Sequence, residues 1–341
     1  MKIIVDAMGG DKAPHEIVCG ALAAAAEYGC ELILCGDSEK IQSAASAGGY
    51  STDGHRIVHT DIAITMEDDP MVVLHAKKES SMCVGLRLLA AGEGDAFVSA
   101  GSTGALFTAA SLIVRKIPGV QRAAIASILP MKPPVLLLDA GANVTVESEY
   151  LEQFAVLGSV YMRSVHSVAE PRVGLLNNGS EECKGTPIQV DAYKRLSANP
   201  DIHFVGNVEA NRLSNNACDV LVTDGFTGNV LLKSIEGMGK MMLSTLRGCF
   251  YANTRTKLAA LLVKKQLGGI KKDFDPSEYG GAPLLGLRRP VIKAHGSSNA
   301  KAMKNAVRQA ISYAEGGVID DVAGEIKRIK ERGRDDDKED K

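Results

Sequence analysis

Six short apolar runs in this chain each end in a loop of small, polar residues. The runs span residues 2–6, 96–99, 135–139, 173–176, 220–223 and 291–294. Runs of this length that are bounded by turn residues are typical of buried parallel strands. Helical patterns separate the runs along the chain, so we expect right-handed crossovers. The sequence therefore predicts an α/β fold with a doubly wound, mostly parallel sheet.

The loops that follow these runs are rich in glycine, serine, threonine and asparagine. Ligands of such sheets bind in the crevice beyond the carboxyl ends of the strands. Glycine lets the backbone approach a ligand closely, and the other three residue types offer hydrogen bonds without net charge. The loops therefore predict one wide polar crevice, suited to a small anion and a polar chain.

The chain length of 341 residues fits either one large α/β domain or two domains. No low-complexity linker divides it, so we expect a single domain over residues 1–330, built as one body or as two lobes with a cleft. Residues 331–341 are nearly all charged. A segment of that composition is predicted to be a disordered tail.

Composition and missing motifs exclude several classes of protein. Aromatic residues are scarce and the formal net charge is −2, which argues against a nucleic-acid partner. Seven scattered cysteines without an export signal predict reduced thiols in the cytoplasm, and no apolar stretch is long enough to span a membrane. The chain has no dinucleotide-binding or Walker A glycine motif and no zinc-ligand spacing, so we expect no cofactor and no metal.

A basic segment stands out in the second half of the chain. Residues 237–272 contain no Asp or Glu and eight Lys or Arg, with leucines at helical spacing. This pattern predicts a basic amphipathic helical protrusion over about residues 237–275. Such a segment suits an anionic membrane surface or an acidic protein partner. A solvated helix that packs its leucines into the protein or a dimer partner is an equally open interpretation.

Seven loop motifs occur in order along the chain. They are residues 6–11 (DAMGGD), 99–104 (SAGSTG), 138–143 (LDAGAN), 177–180 (NNGS), 223–229 (TDGFTGN), 279–282 (YGGA) and 293–298 (KAHGSS). Together they resemble one family, the bacterial phosphate acyltransferases. The resemblance covers residues 1 to about 324. It implies transfer of a fatty acyl group from acyl carrier protein to inorganic phosphate, which forms the acyl phosphate used for phosphatidic acid and phospholipid synthesis.

The resemblance also implies structural context. The fold would be like that of isocitrate and isopropylmalate dehydrogenases, and the protein would be a cytoplasmic homodimer, peripherally associated with the inner face of the cell membrane. A glycerol-3-phosphate acyltransferase would act downstream. The membrane or carrier contact would lie in the basic protrusion, at Arg255, Lys257, Leu258, Leu261, Leu262, Lys264 and Lys265.

The chemistry of such a transfer suits the predicted crevice. Phosphate is already an anionic nucleophile, and the leaving thiol has a pKa of about 8.5, so neither needs a strong base or acid. The enzyme must orient both reactants and stabilise an oxyanion. For phosphate and substrate binding we expect Asp6, Gly9, Gly10, Asp11, Gly101, Ser102, Thr103, Gly104, Lys184, Ser297 and Ser298. Asn143, Asn178 and Asn229 are candidates for polarising the thioester carbonyl, and Asp224 and His295 for positioning or shuttling a proton.

Two other functions stay open from the sequence alone. A phosphate acetyltransferase that uses a coenzyme A thioester would need a similar fold and similar chemistry. A non-catalytic, membrane-associated scaffold for lipid synthesis would need only the basic protrusion.

Overall fold

A single sheet organises the chain. The computed structural model describes residues 1–263, 269 and 276–339, and eleven strands of these residues are hydrogen-bonded in the spatial order β3-β2-β1-β4-β11-β10-β5-β6-β9-β7-β8. All six apolar runs lie in strands. In chain order the strands are β1 (Lys2–Asp6), β2 (Glu31–Gly36), β3 (Arg56–His59), β4 (Ala96–Ser99), β5 (Ala124–Leu129), β6 (Val135–Leu138), β7 (Arg172–Leu176), β8 (His203–Val208), β9 (Val220–Val222), β10 (Gly281–Leu285) and β11 (Val291–Ala294).

The strand directions divide the sheet into two parallel halves. Seven of its ten pairings are parallel, which confirms the predicted mostly parallel sheet. The other three, β11–β10, β10–β5 and β5–β6, are antiparallel and lie next to one another in the middle. As a result β6, β7, β8 and β9 run opposite to β1, β2, β3, β4 and β11. The predicted loops therefore leave the sheet in two groups, not along one common edge.

Helices cover both faces of the sheet. They are α1 (His15–Tyr28), α2 (Ser38–Ala47), α3 (Ser81–Ala90), α4 (Thr103–Ile113), α5 (Ser148–His166), α6 (Pro187–Ala198), α7 (Gly225–Tyr251), α8 (Thr254–Leu262), α9 (Pro276–Tyr279), α10 (Ala300–Glu315) and α11 (Val318–Glu339). One core cluster packs α1, α2, α5, α6, α10 and α11 against one face. The second cluster packs α3 and α4, with part of α7, against the other face. This two-sided arrangement is the doubly wound architecture that the strand–helix alternation predicts.

The helix α7 leaves the body of the protein along most of its length. Only Gly225, Gly228 and Gly239 are buried among its 27 residues, and α8 buries no residue at all. These two helices form the described part of the expected protrusion. Lys264 and Lys265, which we expected to contact a membrane or carrier, lie outside the described residues.

The carboxyl-terminal helix extends into the segment that the sequence predicts as a disordered tail. In the structure α11 continues to Glu339 and does not end near residue 330. Oppositely charged side chains spaced four apart favour a helix, and Lys327 and Glu331 form such a pair at 3.8 Å. The body of α11 is held by Arg163 of α5, which donates a hydrogen bond to Glu325.

Candidate active site

A buried carboxylate joins the end of β1 to the end of β4 and to the start of α3. Asp6, at the end of β1, is 1% exposed and accepts hydroxyl protons from Ser81 and Ser99, each at 2.6 Å. Ser99 in turn accepts the N–H of Gly101 at 3.0 Å. Burial raises the pKa of Asp6, and the two hydroxyl donors oppose that rise. Asp6 was expected to bind substrate, but its carboxylate is occupied in supporting the neighbouring loops.

The two glycines after β1 allow close contact between these loops. A Cβ on Gly9 would lie 2.8 Å from the backbone nitrogen of Gly101, and Gly10 has a φ of +104°. The N–H of Asp11 then donates to the carbonyl of Gly296 at 2.8 Å. Glycine is required here because a side chain would push the loops apart. Gly9 and Gly10 therefore shape the site and do not themselves line its cavity.

A second group of loops, after β6 and β9, is organised by Asp139. Its carboxylate accepts the N–H groups of Ile125, Gly141, Ala142 and Asn143 at 2.6–3.2 Å. The side-chain Nδ2 of Asn143 donates to Asp139 Oδ2 and to the Ala123 carbonyl, both at 2.8 Å. Both amide protons of Asn143 are thereby used. The expected role of Asn143 in polarising a thioester carbonyl is thus replaced by a structural one.

Both groups of loops meet at one cavity of about 380 Å³, on the face of the sheet covered by α3, α4 and α7. Five of the predicted residues line it: Asp11, Thr103, Asn229, His295 and Ser297. The cavity lies over the antiparallel strands β5 and β10, which bridge the two halves of the sheet. A volume in this range suits a small organic ligand.

The cavity has an apolar part and a charged part. Its apolar lining is Met66, Ile125, Ile128, Pro130, Ala140, Leu232, Ala282 and Ala294. Its charged lining is Asp11, Lys233, Glu236 and Lys293, of which Lys233 and Glu236 form an ion pair at 2.9 Å on α7. The cavity therefore combines an apolar surface with both acidic and basic side chains.

Lys293 lines this cavity and begins the motif 293–298, but the sequence analysis gave it no role of its own. It lies in β11 and is 8% exposed, and its ammonium donates to the carbonyl of Ala294. Burial lowers the pKa of Lys293 to about 8, although Asp11 and Asp6 attract its positive charge. The signal in the sequence is a charged residue inside an otherwise apolar four-residue strand.

His295 has a defined orientation at the cavity wall. Its Nδ1 accepts the backbone N–H of Ser297 at 3.2 Å and lies 2.9 Å from the Ser297 hydroxyl. An Nδ1 that accepts from an amide carries no proton, so the neutral ring has its proton on Nε2. Burial, and then the charges of Lys233 and Lys293, lower the pKa of His295. A neutral imidazole that can donate from Nε2 is therefore favoured.

The remaining predicted residues that the structure describes do not line the cavity. The loop residues Gly101, Ser102, Gly104 and Ser298 are buried or half-buried next to lining residues, and Ser298 donates its hydroxyl proton to the His295 carbonyl at 2.6 Å. Asp224 caps α7 by accepting from Thr227 and does not line the cavity. The exposed residues Asn178 and Lys184 belong to the loop after β7, which contributes no residue to the cavity lining.

No cluster of three or more His, Cys, Asp or Glu side chains in the described parts of the chain is arranged as a metal site would require. The available chemistry is that of lysine, histidine, amide and backbone donors around an apolar pocket. These groups can bind an anion and stabilise a developing oxyanion.

Comparison with known proteins shows the family to which the chain belongs. Residues 1–321 match the model of a family described as fatty acid synthesis protein. The chain belongs to this family. The phosphate acyltransferase of Oceanobacillus iheyensis is 45% identical over 331 residues, which make up 96% of this chain and 98% of that relative. The phosphate acyltransferase of Clostridioides difficile is 41% identical over 341 residues, or 99% and 100% of the two chains. The family predicted from the loop motifs is confirmed, and with it an enzyme of the acyltransferase class.

Solved structures share the fold at low sequence identity. A phosphotransacetylase from Streptococcus pyogenes has a TM-score of 0.61 and 17% identity, with 92% of this chain and 94% of that chain covered. A 4-hydroxythreonine-4-phosphate dehydrogenase from Klebsiella pneumoniae has a TM-score of 0.56 and 12% identity, with coverage of 92% and 99%. These similarities confirm the predicted α/β fold class.

Proposed function

We propose that this protein transfers a fatty acyl group from acyl carrier protein to inorganic phosphate and so supplies acyl phosphate for phosphatidic acid synthesis. The observation that carries the proposal is the cavity of about 380 Å³, in which an apolar lining adjoins buried Lys293 and the amide and imidazole donors. Membership of the fatty acid synthesis protein family supports the acyltransferase part.

The reaction needs positioning more than acid or base strength. A phosphate oxygen attacks the thioester carbonyl carbon, a C–O bond forms, and the carbonyl oxygen becomes an oxyanion. The C–S bond then breaks, and the sulfur leaves with the electron pair as a thiolate. Since both the attacking anion and the leaving thiolate are accessible near neutral pH, catalysis rests on holding the reactants and stabilising the oxyanion.

We assign the oxyanion contact to donors on the cavity wall. Asn229 is held at the start of α7, where its Nδ2 donates to the Ala140 carbonyl at 3.1 Å. One proton of that amide group remains for a ligand. His295 offers its Nε2 proton from the neighbouring loop. Removal of a single oxyanion donor typically lowers kcat by about 10²–10³.

The exposed end of the protrusion is the proposed contact with the inner face of the cell membrane. On α8 the side chains of Leu258, Leu261 and Leu262 are 66%, 67% and 84% exposed, beside the cations Arg255 and Lys257. Within residues 1–263 and 276–339, no helix is both long enough and apolar enough to cross a bilayer. Reversible binding would combine apolar insertion with about 1 kcal/mol for each basic residue near an anionic surface.

The proposed homodimer would cover the exposed apolar face of α7. Phe226, Val230 and Met241 on this helix are 63%, 51% and 57% exposed. A second copy is the occupant that the family resemblance suggests, and a glycerol-3-phosphate acyltransferase would consume the product. Sedimentation equilibrium of the wild type and of Met241→Glu tests the dimer. A monomeric wild type would refute it.

A comparison of thioesters tests the substrate assignment. Palmitoyl-carrier protein, palmitoyl-coenzyme A and acetyl-coenzyme A are each supplied with and without phosphate, and release of free thiol is followed. We expect phosphate-dependent release with the carrier thioester at a kcat/KM well above that with coenzyme A. Preference for a short-chain coenzyme A thioester would instead support a phosphate acetyltransferase, and no release with either would support a scaffold.

A further inference from the structure

The amino-terminal end of α4 has no side-chain cap from the described residues, whereas those of α7 and α10 near the cavity do. Asp224 caps α7 by accepting from Thr227 at 2.8 Å, and Asn299 and Glu16 accept from the first turn of α10 at 2.9 and 2.7 Å. The side chain of Ser102 makes no capping bond to α4. Within the described residues, the first N–H of α4 with a backbone acceptor is that of Leu106. The earlier N–H groups are therefore available to a ligand.

This open helix end faces the cavity. Thr103, the first residue of α4, lines the cavity wall. Unsatisfied N–H groups and the helix dipole together favour an anion at such a position. The eleven residues of α4 form three turns, so the dipole is developed.

A buried cation lies beside this helix end. Lys293 is paired in register with Ser99 of β4, and the chain reaches Thr103 four residues after Ser99. Neighbouring strands are about 5 Å apart, so the ammonium and the start of α4 belong to one corner of the cavity. The ammonium donates to the Ala294 carbonyl, and no described carboxylate forms an ion pair with it within 4.0 Å. Of its three protons, two remain without a partner among the described groups.

We infer that the open amino-terminal end of α4 and the ammonium of Lys293 together form the phosphate subsite of this cavity. The inference rests on the proposed function and narrows it. Thr103 and the first N–H groups of α4 would bind the phosphate oxygens, and Lys293 would neutralise their charge. Lys184, which we expected to bind the anion, is exposed on a loop outside the cavity.

The chemistry explains why a lysine is buried at this position. An unpaired ammonium costs free energy in an apolar strand, unless an anion of the substrate completes its coordination. Asp11 and Asp6 attract Lys293 without ion-pairing to it, whereas Lys233 repels it. Lys293 would therefore strengthen the binding of phosphate, because the ammonium has no ion-pair partner in the described part of the chain that competes with the ligand.

Two substitutions test the subsite by different means. Lys293→Met removes the cation at similar volume, and Thr103→Asp places a carboxylate at the first position of α4, where it favours the helix but repels phosphate. Lys194→Met at an exposed position of α6 and Ser38→Asp at the half-buried start of α2 are the matched controls, both away from the cavity. Lys293→Arg tests rescue by a second cation.

The first measurement is the rise in Tm produced by inorganic phosphate, with chloride at equal ionic strength as reference. We expect the wild type and both controls to show the rise, Lys293→Met and Thr103→Asp to lose it, and Lys293→Arg to recover part of it. This readout needs no acyl transfer, so it separates failure of the subsite from failure of the proposed function.

The second measurement is steady-state kinetics. We expect Lys293→Met and Thr103→Asp to raise the KM for phosphate at least tenfold and to leave the KM for the acyl thioester unchanged. A wild-type KM for phosphate in both variants would overturn the inference. An increase confined to the thioester KM would also overturn it, because the subsite would then hold the phosphate of the carrier's arm. If Lys293→Met does not fold, Thr103→Asp alone decides.

Discussion

Asp6 accepts the hydroxyl proton of Ser99 across two neighbouring strands, with 2.6 Å between Oδ2 and Oγ. This bond joins the ends of β1 and β4, and Ser99 passes the support on to Gly101. The wall of the cavity that carries Thr103 thus depends on a carboxylate that does not itself line the cavity. Hydrogen bonds from residues outside the cavity lining can make loops rigid enough to orient two reactants.

Removal of this carboxylate should cost stability. Asp6→Ala leaves the hydroxyl groups of Ser81 and Ser99 buried without their acceptor, which corresponds to a loss of about 3 kcal/mol. Urea unfolding of the wild type and the variant measures the difference, with exposed Asp53→Ala as control. A loss below about 1 kcal/mol would show that the loops do not depend on Asp6.

Two asparagines should give opposite results. Asn143→Ala removes two buried hydrogen bonds, so we expect a loss of about 2 kcal/mol in unfolding free energy and little change in kcat while the protein is folded. Asn229→Ala should instead lower kcat by about 10²–10³ with a small effect on stability, because Asn229 is exposed at the cavity wall. Stability and kcat measured on both variants check the assignment. A large loss of kcat in Asn143→Ala, with little loss in Asn229→Ala, would contradict this assignment and indicate that Asn143 makes the oxyanion contact.

The pH dependence of phosphate use should follow Lys293. Its pKa of about 8 means that the ammonium is charged below that pH and neutral above it. We expect kcat/KM for phosphate to be level up to about pH 8 and then to fall roughly tenfold per pH unit. Asp6, Asp11 and Lys233 face this group, so Lys233→Met should move the fall to higher pH. A wild-type profile that is flat from pH 7 to pH 10 would contradict the assignment.

Lys293 should also affect stability with a defined sign. Its pKa is about 8 in the folded protein, below its ordinary value of 10.5. Between these two pH values the unfolded chain binds more protons, so this group makes unfolding free energy rise with pH by about 3 kcal/mol in total. Other groups also titrate there, so the test is the difference between wild type and Lys293→Met. We expect the variant to be the more stable at pH 7 and its advantage to shrink towards pH 10. A difference that does not change with pH would show that the ammonium is not buried.

The protrusion should bind anionic vesicles through its leucines. Leu261→Glu places a charge at a side chain that is 67% exposed on α8, and we expect binding to phosphatidylglycerol vesicles to weaken at least tenfold. Val144→Glu, at an equally exposed position away from the protrusion, is the matched control. Co-sedimentation with vesicles at low and high salt measures the effect. Equal binding of all three proteins would place the membrane contact elsewhere.

The strands that carry the site could be predicted because each is a continuous apolar run with a turn at its end. The strands in the middle of the sheet could not. β10 contains Gly281 and Pro283, and β5 contains Ala124 and Ser127, so neither shows a clear apolar run. These two strands reverse the direction of the sheet. The sequence therefore predicted that all the loops lie at one edge of the sheet. In the structure they leave the sheet in two groups, which meet at the cavity over β5 and β10.

The residues of the site could be predicted as motifs but not as individual roles. Residues such as Thr103 and His295 follow apolar strands and lie at the cavity. Asn143 also follows an apolar strand, but its side-chain amide donates to the carboxylate of Asp139 and not to the cavity. The local sequence does not specify this contact. Lys293 was missed because it stands inside the run and not after it. Its direction into the cavity follows from strand register alone.

Formation of acyl phosphate tests the central claim most directly. The purified protein is mixed with palmitoyl-carrier protein and ³²P-labelled phosphate, and the product is trapped with hydroxylamine and separated. The account predicts labelled palmitoyl phosphate that disappears on trapping, in amounts equal to the free thiol released, and its loss in Lys293→Met at low phosphate. Thiol release without any labelled acyl phosphate would contradict the account, because the acyl group would then have passed to water.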